Sequence, residues 1–165
     1  VIKKAVDYPK PLFIRFGKKP MLKIHEENTK FEIGKAIKII DGKDVTFLAI
    51  GETVQRAFLA SEILKQKKIY CSVISMHTLK PFDESILLKS ISNTKALITL
   101  EEHSISGGIG EKCASIILQN GLNLSFKILG IPDEYMINGS QSDVLDYYDM
   151  EPSKLASIAR KLISK

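Results

Sequence analysis

The stretch Val45-Thr46-Phe47-Leu48-Ala49-Ile50 is an almost unbroken apolar run, and Gly51 separates it from a segment with helical periodicity. Within residues 53–67 the apolar side chains recur at the spacing that places them on one face of a helix. An apolar run of this length, bounded by glycine and followed by a helix, is typical of a strand that is buried on both faces of its sheet. The stretch therefore predicts one strand–helix unit of an α/β protein.

The same unit repeats along the rest of the chain. Further strands are predicted at residues 69–75, 96–100 and 124–129, and further helices at residues 84–91, 109–119, 141–148 and 154–164. Buried strands that alternate with helices form a parallel sheet covered on both faces, and right-handed crossovers fix its winding. The predicted fold is a three-layer α/β/α domain whose open, mostly parallel sheet has about five strands.

One strand is predicted to run against the others. Residues 36–40 form a short apolar run, and Asp41-Gly42 separates it from the strand that begins at Val45. An Asp-Gly pair between two apolar runs is a hairpin signal, so the first strand should pair antiparallel with the second at an edge of the sheet. In such sheets ligands gather at the carboxyl ends of the strands. These ends are the turns after Ile50, Ser75, Leu100 and Leu129.

Composition places the chain among ordinary globular proteins. Of its 165 residues, 44% are apolar and 26% charged, which argues against disorder, and no apolar run approaches the roughly 20 residues that span a bilayer. The net charge is +5, but the lysines are scattered, so no nucleic-acid partner is expected. Cys71 and Cys113 lie in apolar surroundings and no secretory signal is present, which predicts reduced thiols, a cytoplasmic location and no metal site.

The first 34 residues differ in pattern from the rest. Residues 1–8 are typical of the end of a helix, and Leu12-Phe13-Ile14-Arg15-Phe16 has the character of a short strand between proline and glycine. Residues 18–34 are polar and basic with little periodicity, as in an extended linker. We therefore predict that residues 1–17 end a preceding domain, that 18–34 link two domains, and that 35–165 form the α/β domain.

Three turns at predicted strand ends carry candidate functional residues. Gly51 opens a helix whose backbone N–H groups and dipole could hold an anion, although glycine also permits a tight turn. Glu101-Glu102-His103 combines carboxylates with an imidazole, which suits acid–base chemistry or a role in holding a loop or subunit contact. Gly107-Gly108 suits close packing or an anion at a helix start. We favour the structural interpretation at each turn and assign no catalytic residue.

Two further residues stand out. Asp83 follows Pro81 at the start of the helix predicted at residues 84–91 and should cap it. Arg15 places a guanidinium within an apolar run, where it must reach a carboxylate, a phosphate or solvent. Arg15 is therefore the first candidate for contact with a ligand.

Several short segments, taken together, resemble the transketolase family. They are residues 11–17, residues 32–36, Gly42-Lys43-Asp44-Val45-Thr46, Ile50-Gly51, Thr78-Leu79-Lys80-Pro81-Phe82-Asp83, Glu101-Glu102-His103 with Gly107-Gly108, and Gly130-Ile131-Pro132-Asp133. Residues 11–17 are similar to the strand that closes the family's pyrimidine-binding domain, and the rest is similar to its C-terminal domain. The segments cover nearly the whole chain, and their order and spacing are specific to the superfamily.

The resemblance implies a reaction in which thiamine diphosphate, held with Mg²⁺, moves a two-carbon ketol unit between sugar phosphates. The family's diphosphate and metal motif lies in its N-terminal domain and the cofactor-activating glutamate in its middle domain, and neither has a counterpart here. This chain would then be the structural and dimerisation domain of a homodimeric transketolase, inactive alone and without its own cofactor or metal. It would pack against the N-terminal and middle domains, and Arg15 would contact substrate phosphate.

Two alternatives stay open. Deoxyxylulose phosphate synthases and the beta subunits of 2-oxo-acid dehydrogenases share this domain, although Glu101-Glu102-His103 followed by Gly107-Gly108 is most similar to transketolase, particularly its separately encoded C-terminal section. The other alternative is a stand-alone module that binds an anionic metabolite at the turns near Gly51 and Gly107.

Overall fold

A computed structural model describes residues 1–17 and 20–164 of the chain. Lys18, Lys19 and Lys165 lie outside the described residues; the predicted linker begins at the first two and the predicted α/β domain ends at the third. The helices are α1 (Ile2–Val6), α2 (Thr53–Lys65), α3 (Glu84–Ile91), α4 (Ile109–Gln119), α5 (Gln141–Tyr147) and α6 (Pro152–Ile163). The strands are β1 (Ile37–Ile40), β2 (Val45–Ala49), β3 (Cys71–Ser75), β4 (Ala96–Ser104) and β5 (Ser125–Ile131).

The strands form one sheet in the order β1-β3-β2-β4-β5. β2 pairs in parallel with both β3 and β4, and β4 pairs in parallel with β5. β1 runs antiparallel to β3 at one edge of the sheet. The structure therefore confirms the predicted five-stranded, mostly parallel sheet with one antiparallel edge strand.

Helices cover both faces of this sheet. α2, α5 and α6 pack on one face, around Phe47, Val73 and Ile98, and α3 and α4 pack on the other, around Leu48 and Leu97. Every residue of β2 and β3 is buried because side chains that alternate along a strand meet helices on both sides. The predicted three-layer α/β/α arrangement is confirmed.

The predicted hairpin between the first two strands is wrong, because β1 pairs with β3 and not with β2. After β1 the chain crosses the beginning of β3, where the backbone N–H groups of Lys43 and Asp44 both donate to the carbonyl oxygen of Tyr70, at 3.1 and 2.9 Å. A Cβ atom at Gly42 would lie 2.3 Å from the backbone of Cys71, so only glycine allows this crossing. The Asp-Gly pair marks a close passage between chain segments and not a hairpin turn.

The predicted segment boundaries are mostly close to those observed. α3 and α4 begin and end where predicted, whereas β4 continues to Ser104, beyond the predicted end at residue 100. Leu12 to Phe16 forms no strand with any described residue, and Phe13 is 94% exposed. A strand needs a neighbour to complete its hydrogen-bond ladder, and this segment has none in the described chain. The proposed domain boundaries at residues 17 and 34 stay predictions.

The structure also bears on the predicted state of the two cysteines and on membrane-spanning helices. Cys71 and Cys113 are free and buried, as predicted, and burial raises the pKa of each thiol to about 12. Among the described helices, none has both the length and the apolar composition that a bilayer crossing requires.

Asp83 caps α3, as predicted, and also ties this helix to the segment that enters β1. Its carboxylate accepts hydrogen bonds from the Ser85 hydroxyl (2.6 Å) and the Ile86 N–H (3.3 Å) in the helix, and from the Ala36 N–H (3.0 Å) before β1. Burial alone raises the pKa of this carboxyl, but the three hydrogen bonds and nearby Lys35 outweigh burial and lower the pKa below its usual value. The ionised form is therefore the one that the fold stabilises.

Replacing Asp83 by Asn should lower the free energy of unfolding at neutral pH by about 1–2 kcal/mol, because an amide keeps only one acceptor oxygen. Since the pKa is lowered in the folded state, the stabilisation is present above the unfolded pKa, about pH 4, and is lost as pH falls through the folded pKa. Urea denaturation from pH 7 to pH 3 measures this difference. Glu84→Gln, one residue on at an exposed position, is the control and should change stability little at any pH. An Asp83→Asn deficit that does not shrink in acid would contradict this assignment.

Candidate functional site

The candidate residues at strand ends lie along one edge of the sheet. β2 and β4 are parallel neighbours, so their carboxyl ends meet, and the Ile50 N–H donates to the carbonyl oxygen of Leu100 at 3.2 Å. Gly51 follows the end of β2, and Glu101 is the first residue of β4 beyond its pairing with β2. The structure therefore brings these two predicted positions to adjacent strand ends, as the topology requires.

Glu101 is the buried acid of this edge, with only 3% of its surface exposed. One carboxylate oxygen accepts from the Ile109 N–H (2.9 Å) and the other from the Gly110 N–H (3.1 Å), the first N–H groups of α4. Burial raises the pKa of Glu101 above its usual value, although the two N–H groups and nearby His103 oppose the shift. The carboxylate thus caps the helix that packs over its own strand.

The glycine pair before α4 has two different roles. A Cβ atom at Gly108 would lie 2.2 Å from a carboxylate oxygen of Glu101, so glycine is needed for the strand end and helix start to approach this closely. Gly107 has open space around its Cα and a φ of +74°, a conformation that favours glycine, and its N–H donates to Glu111 at 2.8 Å. The N–H groups of Gly107, Ile109 and Gly110 therefore already bind carboxylates of the chain itself.

Glu102 and His103 each have a hydrogen-bond partner other than Glu101. Both carboxylate oxygens of Glu102 accept from the Gln141 side-chain amide, at 2.8 and 2.9 Å, which joins the end of β4 to the first residue of α5. The exposed His103 ring lies 3.1 Å from the carbonyl oxygen of Ser104 through Nδ1. Within the described chain, no hydrogen bond or ion pair joins the His103 ring to either glutamate. The acid–base pairing that the sequence allowed is not assembled in the structure.

Thr53 also belongs to this edge, although it was not predicted from the sequence. Its buried hydroxyl accepts from the Ile50 N–H (3.3 Å) and lies within donating distance of the carbonyl oxygens of Ile50 (2.8 Å) and Leu100 (3.0 Å). Gly51, between these groups, has a φ of +60° with open space around it, and so serves the tight turn. Thr53 closes the ends of β2 and β4 with the chain's own polar groups.

The side chains of β4 alternate between the two faces of the sheet, and this alternation distinguishes buried Glu101 from partly exposed Glu102. Leu97 faces α3 and α4, whereas Ala96, Ile98 and Leu100 face α2. Extending the period of two puts Glu101 on the α4 side, beneath the glycine-rich helix start. The predicted strand end at residue 100 left both glutamates outside this alternation.

Arg15 lies on the segment that runs toward this edge. It is exposed, and in the described chain it makes no hydrogen bond or ion pair. Two residues later, Gly17 lies so close to Glu52 that an added Cβ would meet its carboxylate oxygen at 2.0 Å. Farther along, the Leu22 N–H donates to Gln55 at 3.3 Å. The N-terminal segment therefore passes the beginning of α2, just after Gly51.

The end of the predicted linker packs on the carboxyl end of β3. The ring of Phe31 lies 4.4 Å from that of His77, centroid to centroid, and the Gly34 N–H donates to the Thr78 hydroxyl at 3.2 Å. Desolvation by this burial lowers the pKa of His77. Across residues 1–17 and 20–164, no three side chains of His, Cys, Asp or Glu group together as metal ligands would. This strand end, like its neighbours, is covered by the chain itself.

Replacing Glu101 by Gln should lower the free energy of unfolding by about 1–3 kcal/mol, because the amide NH₂ would face a backbone N–H that needs an acceptor. Glu102→Gln is the matched control, since an amide at this partly exposed position can still bond to Gln141 and should cost well under 1 kcal/mol. Urea denaturation of both variants at pH 7 measures the difference. Equal losses in the two variants would show that Glu101 is not the helix cap described here.

Comparison with known proteins gives one family and several relatives. Residues 34–155 match the family described as transketolase, C-terminal domain. The chain is 32% identical over 166 aligned positions to one subunit of the apulose-4-phosphate transketolase of Phocaeicola vulgatus, covering 100% of this chain and 53% of that protein. It is 37% identical to the putative transketolase C-terminal section of Methanocaldococcus jannaschii, covering 94% of this chain and 49% of that protein.

A third relative and a solved structure extend this set. The chain is 31% identical to 1-deoxy-D-xylulose-5-phosphate synthase of Heliobacterium modesticaldum, covering 98% of this chain and 25% of that protein. A solved structure described as a split gene transketolase, inactive beta4 tetramer, matches with a TM-score of 0.86 and 28% identity over 99% of this chain and 52% of the solved chain. The chain thus spans about half the length of the first relatives it matches or less.

Proposed function

Because the chain belongs to the transketolase C-terminal domain family, we propose that it is the structural and dimerisation domain of a transketolase and is inactive alone. The complete homodimeric enzyme would move a two-carbon ketol unit between sugar phosphates, using thiamine diphosphate and Mg²⁺ held by other domains or by a partner subunit. Its two free, buried cysteines suit a reducing cytoplasm.

The observation that carries this proposal is the use of the sheet-edge residues. Glu101, the most buried acid at the edge, caps α4, and Glu102 binds Gln141. Neither carboxylate is hydrogen-bonded to the His103 ring, so these residues do not form an acid–base pair. Side chains that are fully engaged in joining β4 to α4 and α5 suit a domain that supports catalysis carried elsewhere.

The sheet edge also fits a surface that another domain covers. Phe13 is 94% exposed on the segment that runs to Gly17, and Phe16 is exposed beside it. Tyr135 and Met136 are exposed in the loop after β5, at the carboxyl end of that strand. Exposed aromatic and methionine side chains are enriched at protein interfaces. The N-terminal and middle domains, or a partner subunit, are the proposed occupants.

The residues at this edge do not fit a bound thiamine diphosphate. The N–H groups at the start of α4, which could hold a diphosphate, already bind the carboxylates of Glu101 and Glu111. A second anion here would meet buried negative charge. We therefore assign no step of the reaction to a cofactor in this domain, and at the Gly107 turn the same geometry disfavours the stand-alone anion-binding module.

A deoxyxylulose phosphate synthase is the second candidate. The observation in its favour is the 31% identity to the synthase of Heliobacterium modesticaldum over 98% of this chain. The two candidates share this domain, so its geometry suits either.

Transketolase activity should appear only when this domain is joined to the rest of the enzyme. The measurement is ketol transfer between sugar phosphates, with thiamine diphosphate and Mg²⁺, by this chain alone, by the natural gene product, and by that product together with its partner subunit. The same samples are assayed for deoxyxylulose phosphate formation, which separates the two candidates. Ketol transfer by this chain alone would overturn the proposed supporting role, and activity only in the second assay would favour the synthase.

Loss of the Arg15 guanidinium should weaken binding of sugar phosphate in the complete enzyme. An arginine–phosphate contact contributes about 1.5–3 kcal/mol, so Arg15→Ala should raise KM about tenfold or more with little change in the urea midpoint. Arg160→Ala, at an exposed position on α6, is the matched control and should leave both unchanged. An unaltered KM for Arg15→Ala would remove the assignment.

A further inference from the structure

The chain contains two Asn-Gly pairs, Asn120-Gly121 and Asn138-Gly139, in different surroundings. We propose that Asn138 is a site of spontaneous deamidation, which converts it to aspartate and isoaspartate, and that the fold protects Asn120 from the same reaction. The other asparagines, Asn28, Asn93 and Asn123, precede threonine or leucine, whose side chains crowd the reacting backbone nitrogen.

The reaction needs only the chain and water. The backbone nitrogen of the following residue loses its proton and bonds to the side-chain carbonyl carbon of asparagine, and the side-chain nitrogen leaves as ammonia. Water then opens the resulting five-membered imide at one of its two carbonyl carbons, which gives either aspartate or isoaspartate. Glycine favours the first step because it has no Cβ and adopts a wide range of backbone conformations. An N–H that already donates a hydrogen bond reacts less readily, since that bond must break first.

Asn120 is held away from this reaction at the end of α4. Its side-chain Nδ2 donates to the carbonyl oxygen of Ile116 at 2.8 Å, so the amide is turned back toward the helix. The N–H of Gly121, which would have to attack, donates to the carbonyl oxygen of Leu118 at 3.0 Å. Both reacting groups are therefore engaged by helix carbonyls, although Asn120 and Gly121 are exposed to solvent.

Asn138 has neither restraint. Asn138 and Gly139 are exposed and lie in the loop between β5 and α5, outside any helix or strand. In the described chain, neither the Asn138 side chain nor the Gly139 N–H makes a hydrogen bond. The two reacting groups can therefore rotate toward each other without breaking a contact of the fold.

The product would place a new carboxylate two residues before Ser140, the N-cap residue of α5. Ser140 and Asp143 form a capping box there, in which the Asp143 N–H donates to the Ser140 hydroxyl oxygen at 3.3 Å and the Ser140 N–H to Asp143 at 3.0 Å. Isoaspartate routes the backbone through the former side chain and lengthens it, just before this box. The modification therefore acts on the beginning of the helix that carries Gln141, the partner of Glu102.

The test is incubation of the protein at mildly alkaline pH, followed by peptide mapping that resolves asparagine, aspartate and isoaspartate at both sites. In the folded protein Asn138 should convert at least about tenfold faster than Asn120, since conversion of Asn120 requires two hydrogen bonds to break. In concentrated urea, where those bonds are absent, the two rates should come within a few-fold of each other. Asn138→Gln should abolish conversion at position 138 and leave the rate at Asn120 unchanged.

Each alternative result would overturn the proposal. Equal rates in the folded protein, or faster conversion of Asn120, would mean that the two sites do not differ as described. A preference for Asn138 that persists in urea at its full size would assign the difference to neighbouring residues in the sequence and not to the fold.

Discussion

The buried carboxylate of Glu101 is the contact on which the arrangement of the sheet edge depends. An acid buried at the end of a central strand is costly unless it is hydrogen-bonded. The first N–H groups of α4 supply two donors and the positive end of the helix dipole. These bonds form only because Gly108 has no side chain between strand and helix. One carboxylate thus fixes where α4 begins relative to β4, and with it the packing of one face of the domain.

At the neighbouring strand ends, other polar side chains likewise bond to backbone groups of adjacent elements. The Thr53 hydroxyl bridges the ends of β2 and β4, and Asp83 joins the start of α3 to the residue before β1. The rule that ligands collect at the carboxyl ends of parallel strands assumes that backbone and side-chain groups are free there. At the ends of β2 and β4, however, the Thr53 hydroxyl and the first N–H groups of α4 are engaged by the chain itself. The edge therefore has the topology of a ligand site, but its polar groups at β2 and β4 hold secondary-structure elements together.

The bounds of a helix could be predicted from the sequence where capping residues or glycine mark its start. Asp83 and Gly108 mark the starts of α3 and α4, and both helices were predicted with the observed bounds. The order of the strands could not be predicted from local pattern, because the insertion of β3 between β1 and β2 depends on contacts distant in sequence. The extension of β4 to Ser104 was missed because its residues are polar and the strand continues there only through pairing with Ile131 of β5.

The internal hydrogen bonds of Glu101 affect how another domain could cover this edge. A free carboxylate would have to give up water when another domain docks, at a cost of several kcal/mol, whereas Glu101 has already exchanged water for N–H groups. In the proposed docked state, the exposed side chains of Phe13 and Tyr135 would contribute through the apolar area they bury, at about 25 cal/mol per Å². The buried, hydrogen-bonded Glu101 and the exposed aromatic side chains therefore both suit the proposed supporting role.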